Sequence, residues 1–240
     1  MVWNGRSVAV ILPTYNERDS IAETIQGFEK LGYVDDILVI NNNAAAGTSD
    51  EVATTTAREI HEPRQGYGAA IQRGLREVDA DLICVCEPDG TFRPADLDKL
   101  LPFTGECDLV VGSRTVQTFI WDGANMGWHL RWGNWALAKG IEATYNTVYL
   151  SDVGCTFRVV SRACAADLVQ RATHAGSAFG LEMLLLAIIR QYRIVQVPVN
   201  YHARVGESSV TGHLHRTIAL GVRMAVLSAR MRLRRNALRG

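Results

Sequence analysis

The sequence predicts an α/β fold: a mainly parallel sheet flanked by helices. Three observations carry that expectation. Apolar runs of strand length alternate with amphipathic stretches of about 10–15 residues, the pattern of successive βαβ units. The strand-like runs end in polar clusters, at Thr14–Glu17, Asn41–Asn43, Glu87–Asp89 and Arg114. With 240 residues, 48% hydrophobic and 21% charged, the chain has enough apolar material for one buried core and an appendage.

The elements follow in order. Ser7–Leu12 reads as a buried strand closed by Pro13, with a periodic helix to about Lys30. Asp36–Ile40 is a second strand, after which Thr48 or Ser49 caps a helix through about Arg58. A brief strand near Glu59–Glu62 leads through Gly66-Tyr-Gly68 into a helix to about Val78. Leu82–Cys86 is the next strand, Pro94 opens a helix to about Leu101, and Asp108–Val111 is a strand again. Beyond it the pattern changes. Residues 115–135 hold four of the five tryptophans, and a helix is expected from near Trp128 to Thr144. Ser151–Arg158 forms a turn feeding a strand, with helices at about 161–171 and 180–190 and a strand at Ile194–Val199. A long arginine-rich helix starts near His213, which divides the chain into a domain over 1–212 and a basic tail over 213–240.

Composition narrows the classes. The longest apolar runs, Leu181–Val199 and Ile218–Ala229, are interrupted by charges, so no spanning helix is expected. Val8–Leu12 is too short for a signal peptide. Five cysteines, an odd number without a Cys-x-x-Cys pair, read as reduced thiols of a cytosolic protein. Net charge is zero, yet Arg190–Gly240 carries ten arginines against one acid, Glu207, so an anionic partner is expected at that end. Trp121, Trp128, Trp132 and Trp135 either fill a core or sit at a membrane interface, where an indole satisfies both its apolar body and its N–H. The basic helix is either a solvated helix or a peripheral contact with anionic lipid. No helix-turn-helix or RNA-binding signature accompanies the charge, so nucleic acid is not expected.

The most telling motif is Glu87-Pro88-Asp89, two carboxylates one residue apart at the end of a buried strand. Such a pair suits a hard divalent cation, Mg²⁺ or Mn²⁺, which prefers oxygen ligands and leaves positions open for phosphate. Strand ends of an open α/β sheet are where ligands gather. Gly66-x-Gly68 is a helix-start turn rather than a dinucleotide fingerprint, because Ile71 stands where a third glycine would be needed.

Together, Leu12-Pro-Thr-Tyr-Asn-Glu17, Gly66-Tyr-Gly-Ala-Ala70, Glu87-Pro-Asp-Gly-Thr91, Gly112-Ser-Arg114, Ser151-Asp-Val-Gly-Cys-Thr-Phe-Arg158, Glu182 and Arg204-Val-Gly-Glu-Ser208 resemble a family 2 glycosyltransferase with the GT-A fold. The likeness is to its dolichol-phosphate mannosyltransferase, or polyprenyl-phosphate, branch, and it runs from residue 7 to about 212. The resemblance implies a nucleotide-sugar donor, Mg²⁺ or Mn²⁺, and a polyprenyl phosphate acceptor. It places Pro13, Tyr15, Glu17 and Asn42 about the nucleotide. It gives Asp89 the metal, with Glu87 assisting or contacting the ribose. It sets Arg114, Arg131 and Arg204 on the phosphates of donor and acceptor, a role suited to a guanidinium fork.

Two departures from that pattern stand out. Asn41-Asn42-Asn43 replaces the usual acids after the second strand, and Glu87 replaces an aspartate. A polyprenyl phosphate nucleophile is already ionised, whereas a hydroxyl acceptor needs a base, for which Asp152 and Glu182 are the candidates. Either could instead be structural, paired with an arginine such as Arg158. The expectation is therefore an inverting enzyme, peripheral on the cytoplasmic face of a membrane through Trp121–Trp135 and the last helix. The alternatives are transfer to a hydroxyl acceptor and a nucleotide-sugar-binding subunit without turnover.

Overall fold

A computed structural model describes residues 3–206 and 214–239. Its strands are β1 (Val8–Thr14), β2 (Asp36–Asn41), β3 (Arg58–His61), β4 (Leu82–Val85), β5 (Leu109–Ser113), β6 (Arg158–Ser161) and β7 (Ile194–Pro198). They form one sheet in the order β3-β2-β1-β4-β6-β5-β7. All pairings are parallel except those of β6, which runs antiparallel between β4 and β5. The reversal has a local cause. The chain enters β6 from the carboxyl edge, straight out of a loop at 146–157 whose Ser151 lies 2.8 Å from Ser113 at the end of β5. The central strands are buried on both faces, as unbroken apolar runs require.

Helices α1 (Arg18–Glu29), α2 (Thr48–Ala53), α3 (Tyr67–Glu77), α4 (Leu97–Leu100), α5 (Trp128–Tyr145), α6 (Arg162–Arg171), α7 (Phe179–Ile189), α8 (Leu214–Leu233) and α9 (Arg235–Arg239) complete the described elements. The expected strands and most expected helices are present, with differences at their ends. α2 stops at Ala53 because Thr54 and Thr55 turn their hydroxyls back onto the carbonyls of Glu51 and Val52. It starts after Gly47, at φ +85°, with no side-chain cap from Thr48 or Ser49. The stretch from Pro94 is broken into short 3₁₀ turns about α4, with Pro102 in the second. The apolar run at 181–189 is a core helix, α7, of which every residue but Gly180 is buried. α8 packs against α5 and α7, and no described helix is long and apolar enough to cross a membrane. The start of the last helix at His213, the boundary at 212/213 and the Glu207-Ser208 end of the last motif lie outside the described residues.

α3 shows how closely the layers meet. Gly74 faces β1, and a Cβ there would stand 2.6 Å from Ile11 Cγ2. Alanine is worth about 1 kcal/mol more than glycine inside a helix. The crowded atom, however, belongs to a β-branched side chain fixed in the central strand, and overpacking costs about 1–3 kcal/mol. Gly74→Ala is therefore predicted to lower the denaturant midpoint; a raised midpoint would show that the α3–β1 interface has slack.

Candidate active site

The parallel strands bring their carboxyl ends to one edge, and the polar clusters meet there. After β1, Glu17 folds its carboxylate back under its own loop. Its Oε2 accepts from the amides of Tyr15 (2.7 Å) and Asn16 (2.9 Å) and from the Thr14 hydroxyl. After β4, Ser20 of α1 donates to the Pro88 carbonyl at 2.6 Å, tying α1 to the Glu87–Asp89 turn. Asp89, only 1% exposed, accepts from the Thr91 amide and hydroxyl on Oδ1. Gly90, at φ +78°, lets the chain turn there.

Arg204 joins these pieces. Its Nη1 lies 2.9 Å from Asp89 Oδ2 and 3.9 Å from Glu87 Oε2, while Nη2 donates to Glu17 Oε1 at 2.7 Å. The next amide, Val205, donates to the Asp89 carbonyl. Burial and the neighbouring Asp89 charge push Glu87 up to about 8, with Arg204 opposing. Three carboxylates thus converge about one guanidinium. Among the described residues no three ligating side chains are gathered for a metal ion, but the Glu87–Asp89 pair, with oxygen donors only and with Asp89 Oδ2 held by Arg204, suits a hard divalent ion.

Arg114 and Asp152 make a second unit. Asp152 is fully buried, and its Oδ2 accepts from the Arg114 amide (2.9 Å) and Nε (2.8 Å). Its Oδ1 accepts from Arg114 Nη2, Asn134 and the Gly154 amide. Burial alone would raise this carboxyl, but the Arg114 charge and the hydrogen bonds from Arg114 and Asn134 outweigh it and hold it at about 2. Of the two readings left open for Asp152, the structural one fits: the carboxylate is locked rather than poised as a base, and its arginine is Arg114 rather than Arg158. Arg114 spends Nε and Nη2 on that clamp, with its guanidinium over the Tyr201 ring, so it orients the loop and does not reach freely for phosphate. Gln196 completes the unit by donating to the Asp152 carbonyl and accepting from the amides of Ser151 and Asp152. The sequence offered a sign of it that went unread: a glutamine inside the apolar run of β7.

Glu182, also buried, is likewise occupied. It accepts from the Thr173 amide and hydroxyl and from the His174 amide, fastening the loop before α7. Arg158 donates to the carbonyls of Cys155 and Gly180 and makes no ion pair among the described residues.

The asparagine triplet also differs from expectation. Asn42 is buried, donates to the carbonyls of Glu62 and Arg64, and accepts from the Gly66 amide. Asn41 and Asn43 bond Glu59 and Gln65. These amides staple the end of β2 to the loop before α3; the Asn42 side chain is not presented to a base. Pro13 lies buried in β1, while Tyr15 is half exposed, its carbonyl accepting from Ala45.

Arg131 lies on α5 and bonds Gln117. Beside it opens a cavity of about 490 Å³, floored by Ser113, Thr115, Ser151 and Gln196 and walled by Trp132, Trp135 and Tyr149. Trp128, Trp132 and Trp135 follow at i, i+4 and i+7 along one face of α5, 72%, 57% and 41% exposed. The core reading of these tryptophans fails for that face, since Ala138, Ile141 and Tyr145 supply the buried one. Trp121 stacks on His202 and donates to Asn200.

A family model described as glycosyl transferase family 2 matches residues 9–167, two thirds of the sequence. The chain belongs to glycosyl transferase family 2. It is 30% identical over 216 residues to an uncharacterized glycosyltransferase of Mycobacterium tuberculosis, covering 89% of this chain and 94% of that one. It is 27% identical to the undecaprenyl-phosphate mannosyltransferase of Micrococcus luteus, covering 93% and 95%. The glucosyl-3-phosphoglycerate synthase of M. tuberculosis, solved with Mn²⁺, UDP-glucose and phosphoglyceric acid, superposes with a TM-score of 0.74 at 20% identity, over 95% of this chain and 80% of that one. That likeness carries the GT-A fold.

The Asp152 clamp makes a signed prediction. Asp152→Asn leaves the buried Arg114 charge uncompensated, a loss of about 3–5 kcal/mol. A carboxyl held at about 2 stabilises the fold above its unfolded value near 4, and that contribution fades as pH falls towards 2. Urea unfolding should show the largest deficit of the variant near neutral pH, shrinking below about pH 4. A deficit that is absent at neutral pH would remove the clamp from the stability of this site.

Proposed function

We propose that this glycosyltransferase is an inverting enzyme that moves a sugar from a nucleotide sugar to a polyprenyl phosphate, working peripherally on the cytoplasmic face of a membrane. The observation that carries the choice of acceptor is the state of the two carboxylates suited to base catalysis. Asp152 is spent on Arg114, and Glu182 on the amides at 173–174. With Glu87 given to the metal in this reading, a hydroxyl nucleophile would find neither of them free to take its proton, whereas an ionised phosphate needs no base. The cavity beside Arg131 supports the same reading, having a polar floor for a phosphate and an aromatic wall for an apolar chain. The likeness to an undecaprenyl-phosphate mannosyltransferase points the same way.

In this reading the phosphate oxygen of the acceptor attacks the anomeric carbon as the bond to the nucleoside diphosphate breaks on the opposite face. Pro13, Tyr15 and Glu17 line the nucleoside end. Asp89, with Glu87, would hold Mg²⁺ or Mn²⁺, which supplies positive charge against the departing diphosphate. Arg204 turns from its carboxylates towards the donor phosphates, and Arg131 receives the acceptor phosphate. Arg114 and Asp152 keep the 151–154 loop in place. The three exposed indoles of α5 rest at the bilayer surface.

The test is transfer of labelled sugars from a panel of nucleotide sugars with Mg²⁺ or Mn²⁺. Polyprenyl phosphate in anionic vesicles, a water-soluble short-chain polyprenyl phosphate and hydroxyl acceptors would be compared. Label should pass to both phosphates, and Trp128→Ser, at an exposed indole outside the cavity, should slow transfer to the vesicle-bound acceptor alone. Transfer only to a hydroxyl acceptor would overturn the reading.

A further inference from the structure

We propose that a cleft between α7 and α8 is a binding site for a single anionic phospholipid, separate from the acceptor cavity. The cleft measures about 670 Å³. Arg223 and Arg230 of α8 and Arg234, in the turn just beyond its end, line it at i, i+7 and i+11. Leu186 of α7 and Val226 and Leu227 of α8 supply apolar surface beside them. Glu182 also borders the cleft, but its carboxylate is buried and committed to Thr173 and His174. Among the described residues no carboxylate pairs with Arg223, Arg230 or Arg234.

Several other arginines of this end have structural employment. Arg232 donates to the Thr144 carbonyl at the end of α5, Arg190 bonds Asp167, and Arg239 bonds Gln191. Arg223, Arg230 and Arg234, none of them in an ion pair among the described residues, therefore gather where apolar side chains also line a groove. Charge complementarity calls for an anion, and the apolar lining calls for a chain attached to it. A guanidinium stripe suits a phosphate headgroup, with the acyl chain along Leu186 and Leu227. The site does not depend on which acceptor the enzyme uses. The 173–178 loop forms one wall of the cleft, and from its other side the Ala175 carbonyl accepts from the Ala69 amide at the start of α3.

The experiment is calorimetric titration of the full chain with dioctanoyl phosphatidic acid below its micelle concentration. Dioctanoyl phosphatidylcholine and inorganic phosphate serve as controls. The expected result is saturable binding of one phosphatidic acid per chain, with both controls at least about tenfold weaker. Arg223→Gln/Arg230→Gln/Arg234→Gln should weaken it at least about tenfold while the melting curve stays cooperative. Val226→Trp, which fills the groove without altering charge, should abolish it and carries the test if the triple variant does not fold. No saturable binding by wild type, undiminished binding by Val226→Trp, or inorganic phosphate binding as tightly as the lipid would overturn the proposal.

Discussion

Arg204 holds its guanidinium between Glu17 and Asp89, and much of the catalytic edge is arranged around that contact. Glu17 comes from the end of β1, Asp89 from the end of β4, and Arg204 from the segment after β7. Three segments far apart in sequence are therefore drawn to one point by two charge-assisted hydrogen bonds. Without a cation there, three carboxylates would face each other in a partly buried site, where burial first and the Asp89 charge second already push Glu87 upward. The contact also sets a condition for ligand binding. In the proposed mechanism, a divalent ion that takes Asp89 competes with the guanidinium, which is then released towards a diphosphate.

A second charge pair shapes the neighbouring wall by the opposite logic. Arg114 and Asp152 are buried and share three hydrogen bonds, so neither can leave without stranding the other. Arg204 is a pair that can exchange partners, whereas Arg114–Asp152 is a pair that cannot. The loop at 151–154 is held still by Asn134 and Gln196, while the segment beyond Arg204 is anchored through the Val205 amide. Both properties suit the proposed glycosyl transfer: a fixed wall on the acceptor side and exchangeable charge on the side of the leaving group.

The fold was legible because strands buried on both faces read as unbroken apolar runs, and Val8–Leu12, Ile37–Ile40 and Leu82–Cys86 are such runs. The reversal of β6 was not, since the direction of a strand depends on which edge the chain arrives from. Glu87 and Asp89 are legible in the sequence as a carboxylate pair just beyond a strand, and the structure places them beyond β4. The duties of Asp152, Glu182 and Asn42 were hidden for a common reason. A carboxylate or amide looks the same in sequence whether its hydrogen bonds are open or already filled, and here backbone amides and carbonyls fill them. Arg114 was found as a site residue but not as half of a clamp, because its partner lies 38 positions away. The α5 tryptophans were ambiguous in sequence, and the helix register resolved them by giving the buried face to Ala138, Ile141 and Tyr145.

The exchange of partners at Asp89 can be read directly from Mn²⁺ binding followed by electron paramagnetic resonance, without any turnover. If Arg204 and the ion share Asp89, wild type should bind Mn²⁺ alone weakly, and adding nucleoside diphosphate should tighten it. Arg204→Gln should bind Mn²⁺ alone at least about tenfold more tightly than wild type, a gain of about 1.4 kcal/mol, while losing affinity for the diphosphate. Equal or weaker Mn²⁺ binding by Arg204→Gln would contradict the account, because the guanidinium would then be supporting the ion's site instead of occupying it.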